Sequence, residues 1–376
     1  MGGRMNHVFR VLVTATTAVA VLAASAAATA APPDTDRVGL QSGLDEVVAA
    51  SAIGALADVR DEHGVWRGTS GVAEDGRARA VPVDGRFRVG SITKTFLAAV
   101  VLQLVDEGEL RLEDTVESWL PGVVPNGHRI TVRHLLNHTS GLPDVIPTLP
   151  LPPAPAFLDN RWRTWTADEL VARALTNPPV FDEPGSAFSY SNTGYLLVGQ
   201  IIEKATGTSY AKQIENRVIR PLQLDDTWLP GTSTRIRGPH PHGYVPIRQE
   251  DGGWQLVDYT RMNPSVFGAA GEMISTTKDL NRFFAALLGG RLLPGHLLDE
   301  MKTPGVESRA YGLGLAWRDT PCGVRVYGND GDALAYQAYS FSTQDRRRQV
   351  TVAVTPNFDG DIDDAANAFV NKAICG

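Results

Sequence analysis

Positive charge is in short supply in this chain: 35 Lys and Arg stand against 42 Asp and Glu, a formal charge of −7. That balance offers no broad cationic face to a phosphate backbone and argues against nucleic acid as a partner. Cysteine is scarcer still, with only Cys322 and Cys375. Two cysteines so far apart do not make a metal site. There is no heptad run, no collagen period and no repeat of about 20–50 residues, which removes the repeat architectures. After residue 33 no apolar run approaches a membrane span. The His134/His138 pair lacks the glutamate that a zinc-protease helix places after its first histidine, because Leu135 stands there. His240-Pro241-His242-Gly243 reads as a turn. No Gly-x-Ser-x-Gly elbow occurs, and no phosphate-binding glycine motif occurs in a usable context. No metal and no cofactor is expected.

The composition that remains, 43% hydrophobic and 20% charged, is that of an ordinary globular protein. The length allows one large fold or two domains. The first thirty residues stand apart. Arg4, His7 and Arg10 make a basic start, residues 11–33 carry no charge, and Ala28-Thr29-Ala30 is a small-x-small cleavage pattern. This predicts a secretory signal peptide over 1–30 and a secreted mature chain over 31–376. A membrane anchor is the alternative, but the second half of the run is only weakly apolar. Outside the cell Cys322 and Cys375 are expected to form a disulfide that ties a C-terminal helix to a sheet.

Periodicity predicts a helix over 38–50 and strands over Ile53–Arg60 and Gly64–Val72. From Ser91 to Asp106 the chain is apolar on nearly every face, which predicts a buried helix. Six prolines between Pro143 and Pro155 forbid regular structure there. Thr166-Ala167-Asp168-Glu169 is a capping box. Further helices are expected over Gly194–Ala205, Thr277–Leu288 and 363–374, and strands over Val324–Gly328, Leu334–Ser342 and Gln349–Thr355. The fold class is therefore α+β: one antiparallel sheet built from both ends of the mature chain, flanked by helices, with a helical region over roughly 110–260 inserted between them. A cleft belongs between the two parts.

Three short segments carry chemistry. Ser91-Ile92-Thr93-Lys94 opens the buried helix, so Ser91 and Lys94 share a face. A serine needs a base to become a nucleophile, and burial makes a lysine shed its proton more easily. On its own the pair reads as an N-cap serine and a surface lysine, since Ser-x-x-Lys is common. Tyr190-Ser191-Asn192, ahead of a helix, joins a proton relay to an amide-gripping carboxamide. Asn329-Asp330-Gly331-Asp332 reads locally as a hairpin turn.

In this order the three segments resemble the signature of the penicillin-recognising serine hydrolases: Ser-x-x-Lys, then Tyr-x-Asn, then Lys-Thr-Gly or His-x-Gly on a strand. The blocks at 87–94, 130–142, 190–194, 199–207, 271–279 and 311–315 look like family blocks as well. The resemblance runs from about Gly39 to the C-terminus and is nearest in look to secreted D-alanyl-D-alanine carboxypeptidases of the class C beta-lactamase-like branch. It implies a beta-lactamase/DD-peptidase-like fold with Ser91 as the acylated nucleophile and Lys94 as its proton acceptor. Tyr190 would be general base or shuttle, and Asn192 would hold the substrate amide. The third motif, through Asn329, Gly331 and Asp332, would bind substrate, with an oxyanion hole from the N–H groups of Ser91 and Asp332. The implied partners are peptidoglycan-type peptides or small amides and esters, with beta-lactams as possible ligands. No membrane partner is expected after signal cleavage, and a monomer is expected.

The third motif departs from the family. Asn329 stands for the usual Lys or His, Asp330 for Thr or Ser, and Asp332 adds another acid. The position of the carboxylate-binding arginine of the carboxypeptidases maps by resemblance to Ala316, with Arg318 close by. The readings are a D,D-carboxypeptidase, then an esterase, D-amino-acid amidase or beta-lactamase, and last a non-catalytic cell-wall binder. In the amidase, Asp330 and Asp332 would meet a cationic amine. Trp162 and Trp165, beside the Pro-rich segment, either line the cleft or simply pack.

Overall fold

The computed structural model describes residues 35–376; the signal segment 1–30 lies outside the described residues. The strands, in chain order, are β1 Ala52–Asp61, β2 Gly64–Glu74, β3 Arg77–Ala80, β4 Phe87–Arg88, β5 Tyr244–Arg248 and β6 Trp254–Asp258, followed by β7 Ile274–Ser275, β8 Ala316–Asp319, β9 Arg325–Asp332, β10 Gln337–Thr343 and β11 Gln349–Pro356. Seven of them form one antiparallel sheet in the order β3-β2-β1-β11-β10-β9-β8. The two ends of the chain meet at β1–β11, for example Ala57 opposite Val352. These central strands are buried on both faces, so their sequences are apolar with little alternation.

Each face of the sheet has its own core. On one, the Thr35–Ser51 and Ile362–Cys375 helices bring Leu40, Leu44, Phe369 and Val370 onto Val59, Val350 and Val352. On the other lie the Thr277–Leu288 helix, the Thr93–Asp106 helix and the helical middle of the chain. The Thr93–Asp106 helix is buried from Thr93 through Leu102, as a segment apolar all round must be. It is the central post between sheet and helical part. Asn281 and Asp58 form a polar link across this packing: Asn281 Nδ2 donates to Asp58 Oδ1 at 2.7 Å, and Arg67 also pairs with Asp58 at 2.9 Å.

The Thr166–Glu169 capping box is present in both directions. The stretch from Pro143 to Pro155 contains only one complete 3₁₀ turn, Ile146–Thr148, and the first residue of another, Pro155–Asn160. Two expectations change. Asn192 is the first residue of its helix, Asn192–Thr206, and Ser191 is the cap, accepting from the Gly194 N–H at 3.3 Å. Asn329–Asp332 is not a turn but the end of β9; the reversal comes later, where the Ala333 N–H donates to the Tyr336 carbonyl at 2.9 Å. Asp-Gly tolerates a turn without requiring one, and pairing with β10 (Asp330 opposite Tyr339) outweighs the local preference. β3 and β6 are short and largely solvent-facing, β8 is short and half-buried, and β5 buries Tyr244, Val245 and Ile247 over only five residues; none of the four was expected from the sequence.

Cys322, in the β8–β9 connection, is bonded to Cys375 at the end of the last helix, 53 residues on. A loop of that size constrains the unfolded chain by about 4 kcal/mol. Denaturant unfolding of Cys322→Ser/Cys375→Ser against the oxidised protein should show a loss of that order; equal stability would contradict the assignment.

Candidate active site

Ser91 sits on a tight corner. β4 pairs with β7, and the Val89 N–H donates to the Met273 carbonyl at 3.0 Å. Gly90 then takes φ +52°, a left-handed value that suits glycine, and the 3₁₀ turn Gly90–Ile92 leads into the central helix. Thr93 ties the corner by donating its hydroxyl to the Gly90 carbonyl at 2.7 Å.

β9 passes against this corner with no room to spare. A Cβ on Gly331 would lie 2.0 Å from the Val89 carbonyl oxygen and 2.9 Å from the Ser91 nitrogen; one on Gly90 would lie 2.4–2.8 Å from the backbone of Asp332. β8 pairs with β9 only as far as Gly328, so the edge of residues 329–332 facing Ser91 has no strand beside it. The Ala333–Tyr336 bond fixes the alternation of the ladder. Gly331 is therefore bonded across to Ala338, and the Asp332 N–H turns away from β10 toward the Ser91 corner. Two backbone donors, those of Ser91 and Asp332, thus border one spot.

Lys94 is fully buried, with its ammonium nitrogen 2.9 Å from Ser91 Oγ, 2.8 Å from Asn192 Oδ1 and 2.7 Å from the Ala270 carbonyl. Its pKa is pushed down to about 7: burial dominates, and the negative charges of Asp144 and Asp330 oppose it. When neutral, the amine has two protons and one lone pair. Asn192 Oδ1 and the Ala270 carbonyl can only accept, so they take the protons and the lone pair is left facing Ser91. The Tyr190 hydroxyl donates to Ser91 Oγ at 2.6 Å. Its ring keeps an exposed edge (38%), while the surroundings of the hydroxyl hold its pKa well above the ordinary value, chiefly through burial and then through neighbouring Tyr311. It remains a phenol and a proton donor.

The predicted third-motif residues divide between the two faces of β9. Asn329 is buried, donating to Thr95 Oγ1 at 3.2 Å. Asp330 and Asp332 keep solvent access, yet loss of solvation by the surrounding protein raises the pKa of both. Asp363, in the first turn of the last helix, adds to this for both, and Asp330 does so for Asp332. Arg318 is bonded to Asn367 and lies 4.5 Å over the Phe341 ring. Trp162 is 54% exposed beside Arg161, whereas Trp165 is 7% exposed and covered by Arg163.

The structure thus gathers Ser91, Lys94, Tyr190 and Asn192 in direct contact and brings Gly331 and Asp332 to the same corner. Asn192 is otherwise engaged than expected, because both ends of its carboxamide already have protein partners: Lys94, and Asp144 at 3.2 Å. Three participants were missed. Asp144 lay at the start of the Pro-rich segment, and the Ala270 carbonyl has no side-chain signature. His138, considered above only as a metal ligand, packs its ring 4.1 Å from that of Tyr190 and accepts the Ser191 N–H at 3.1 Å. His134 caps its own helix, and His242 bonds Asp258 at 2.7 Å.

A serine hydroxyl held between a buried amine and a phenol, beside a two-donor strand edge, is an arrangement suited to acyl transfer. The beta-lactamase family profile matches residues 44–374. The chain belongs to the beta-lactamase family and has the beta-lactamase/penicillin-binding-like fold. It is 28% identical over 74% of its length to "Penicillin-binding protein 4*" of Bacillus subtilis (strain 168) and spans 62% of that relative's length. Among solved structures, a D-stereospecific amidohydrolase from Streptomyces sp. matches with TM-score 0.79 and 39% identity, covering 89% of this chain and 98% of that one. The D-amino acid amidase from Ochrobactrum anthropi SV3 matches with TM-score 0.78 and 27% identity, covering 91% and 99%.

Gly331→Ala should push β9 off the Ser91 corner and cut ester turnover by about 100- to 1,000-fold, the cost of losing an oxyanion donor. Turnover and melting temperature measured together test this; unchanged turnover would contradict the close approach.

Proposed function

We propose that the protein is a secreted amidohydrolase that acylates Ser91 with amino-acid amides or esters bearing a free amine, of D configuration. Neutral Lys94 takes the Ser91 proton as Oγ attacks the carbonyl, and the N–H groups of Ser91 and Asp332 hold the oxyanion. Tyr190 hands its proton to the leaving amine as the C–N bond breaks and is refilled by the proton that Lys94 took from Ser91, acting as a shuttle rather than the resting base, and Lys94 returns to the neutral form. Water then hydrolyses the ester on Ser91.

The observation that carries the substrate reading is the acidic edge of β9. Burial and the charge of Asp363 raise the pKa of both Asp330 and Asp332; Arg318 and Lys94 offset part of this at Asp330, the Leu334 N–H bonds Asp332 at 2.6 Å, and Asp144 adds a negative charge beside Asn192. Crowded acids with raised pKa are relieved by a cation. A carboxylate in contact with one of them would instead meet a repulsion of about 1–4 kcal/mol. The names of the two amidohydrolase structures support the D preference. A D-alanyl-D-alanine carboxypeptidase is the second reading, favoured by the likeness to a penicillin-binding protein; it requires Arg318 to leave Asn367 and receive the terminal carboxylate. Export fits the Cys322–Cys375 disulfide. Among the described residues no helix is long and apolar enough to cross a membrane.

Steady-state assays with D-phenylalanine amide and with an acetylated peptide ending in D-Ala-D-Ala decide between the two. Turnover of the amide, lost in Ser91→Ala, is expected; turnover of the peptide alone would overturn the amine reading. Asp330→Asn should raise KM for the amide about tenfold with little change in kcat, as loss of one charge-assisted contact does. Because the active form carries neutral Lys94, kcat/KM should rise with pH through a limb at about 7. A rate that is flat from pH 5 to 9 would contradict the lysine's role.

A further inference from the structure

The Asn192 carboxamide has two possible orientations, and one neighbour selects between them. Asp144 Oδ1 accepts from the Asn192 backbone N–H at 2.9 Å, and both its carboxylate oxygens lie 3.2 Å from Asn192 Nδ2. An ionised carboxylate only accepts, so it must face the NH₂ end, and the carbonyl end is then turned to Lys94. The segment bearing Asp144 is itself clamped. The Ser191 N–H donates to His138 Nδ1 at 3.1 Å, and the Thr193 hydroxyl donates to the Pro143 carbonyl at 2.8 Å. Three consecutive residues, 191 to 193, are thus bonded to one short stretch of loop.

We propose that Asp144 is a positioning residue for acylation: it pins the Asn192 carboxamide oxygen-first against Lys94 and so holds the lysine's lone pair on Ser91. With the carboxamide reversed, its NH₂ group would face the amine. Neutral Lys94 would then spend its lone pair accepting from Asn192, and Ser91 would lose its base. The inference rests on the acyl-enzyme reading and not on the amine preference.

The charged and titratable groups around Lys94 are Asp144, Asp330 on β9, Tyr190 and Tyr195 on either side of the Asn192 turn, and His138, which burial keeps neutral. Only Asp144 and Asp330 are negative. Removing the charge of Asp144 therefore lowers the lysine's pKa, as does reversing the carboxamide, which takes away an acceptor from the ammonium. Both move the acid limb to lower pH.

The test uses p-nitrophenyl acetate, an activated ester with no amine, and follows the acylation rate against pH in the full mature protein. For Asp144→Asn the expected result is a rate lower by about 100-fold, the small end of a positioned base's contribution, with KM little changed and the acid limb shifted down. Asn192→Ala keeps Asp144, its charge and its backbone bond, and should give a loss of the same order with a smaller downward shift, because only the acceptor is removed. The double variant should be no slower than either single one. A stationary acid limb, or a double variant slowed by the product of the two single effects, would overturn the proposal. If Ser91→Ala turned the ester over as fast as wild type, the acyl-enzyme reading itself would fall. With wild type fast and Ser91→Ala dead, an unchanged Asp144→Asn would sink only the positioning role.

Discussion

Everything at this site depends on the backbone of one strand touching the backbone of one corner. Gly331 has no side chain because Val89 and Ser91 occupy its place, and Gly90 has none because Asp332 occupies its own. The contact joins the far edge of the sheet to the start of the central helix, and it borders a single spot with two N–H groups. The rest of the architecture serves to hold it. The β1–β11 pairing closes the sheet across the chain ends, the Thr93–Asp106 helix is packed on all sides, and the disulfide secures the connection that leads into β9.

Against that frame a buried cation becomes useful. Lys94 would be an expensive residue in an apolar helix if it were only structural, since a buried ammonium is strongly disfavoured. Three acceptors make its charge tolerable and still leave it easy to discharge. The same three acceptors set direction: once a proton is gone, the only partner able to give one back is Ser91, the group that must lose it. Tyr190 is held in the opposite condition, a phenol that keeps its proton. One neutral base and one protonated acid on either side of a hydroxyl form the pair that acyl transfer needs.

Much of this was legible in the sequence, and the reasons differ by residue. The central helix shows itself because it is apolar on every face. Ser91, Lys94, Tyr190 and Asn192 are each weak alone and gain meaning from their order along the chain. The Asp330-Gly331 pair misleads, because a local turn signal is overridden by pairing with β10, a tertiary fact. Asp144 is hidden for another reason: nothing in Leu142-Pro143-Asp144 marks a carboxylate that reaches across to residue 192. The Ala270 carbonyl, bonded to Lys94, is invisible in principle, since every residue has a carbonyl. The acidity of the cleft lies between, with Asp330 and Asp332 evident as departures from the family motif and Asp363 supplied by the fold alone.

The central claim is that the protein keeps Lys94 poised to be neutral beside Ser91. Its most direct test is to titrate that one side chain, following the Lys94 Cε and Nζ resonances by NMR in protein labelled at lysine, with Lys94→Arg to assign the signal. A midpoint at about 7 is expected. A lysine that titrates near its ordinary value, about 10.4, would leave Ser91 without a base and contradict the account.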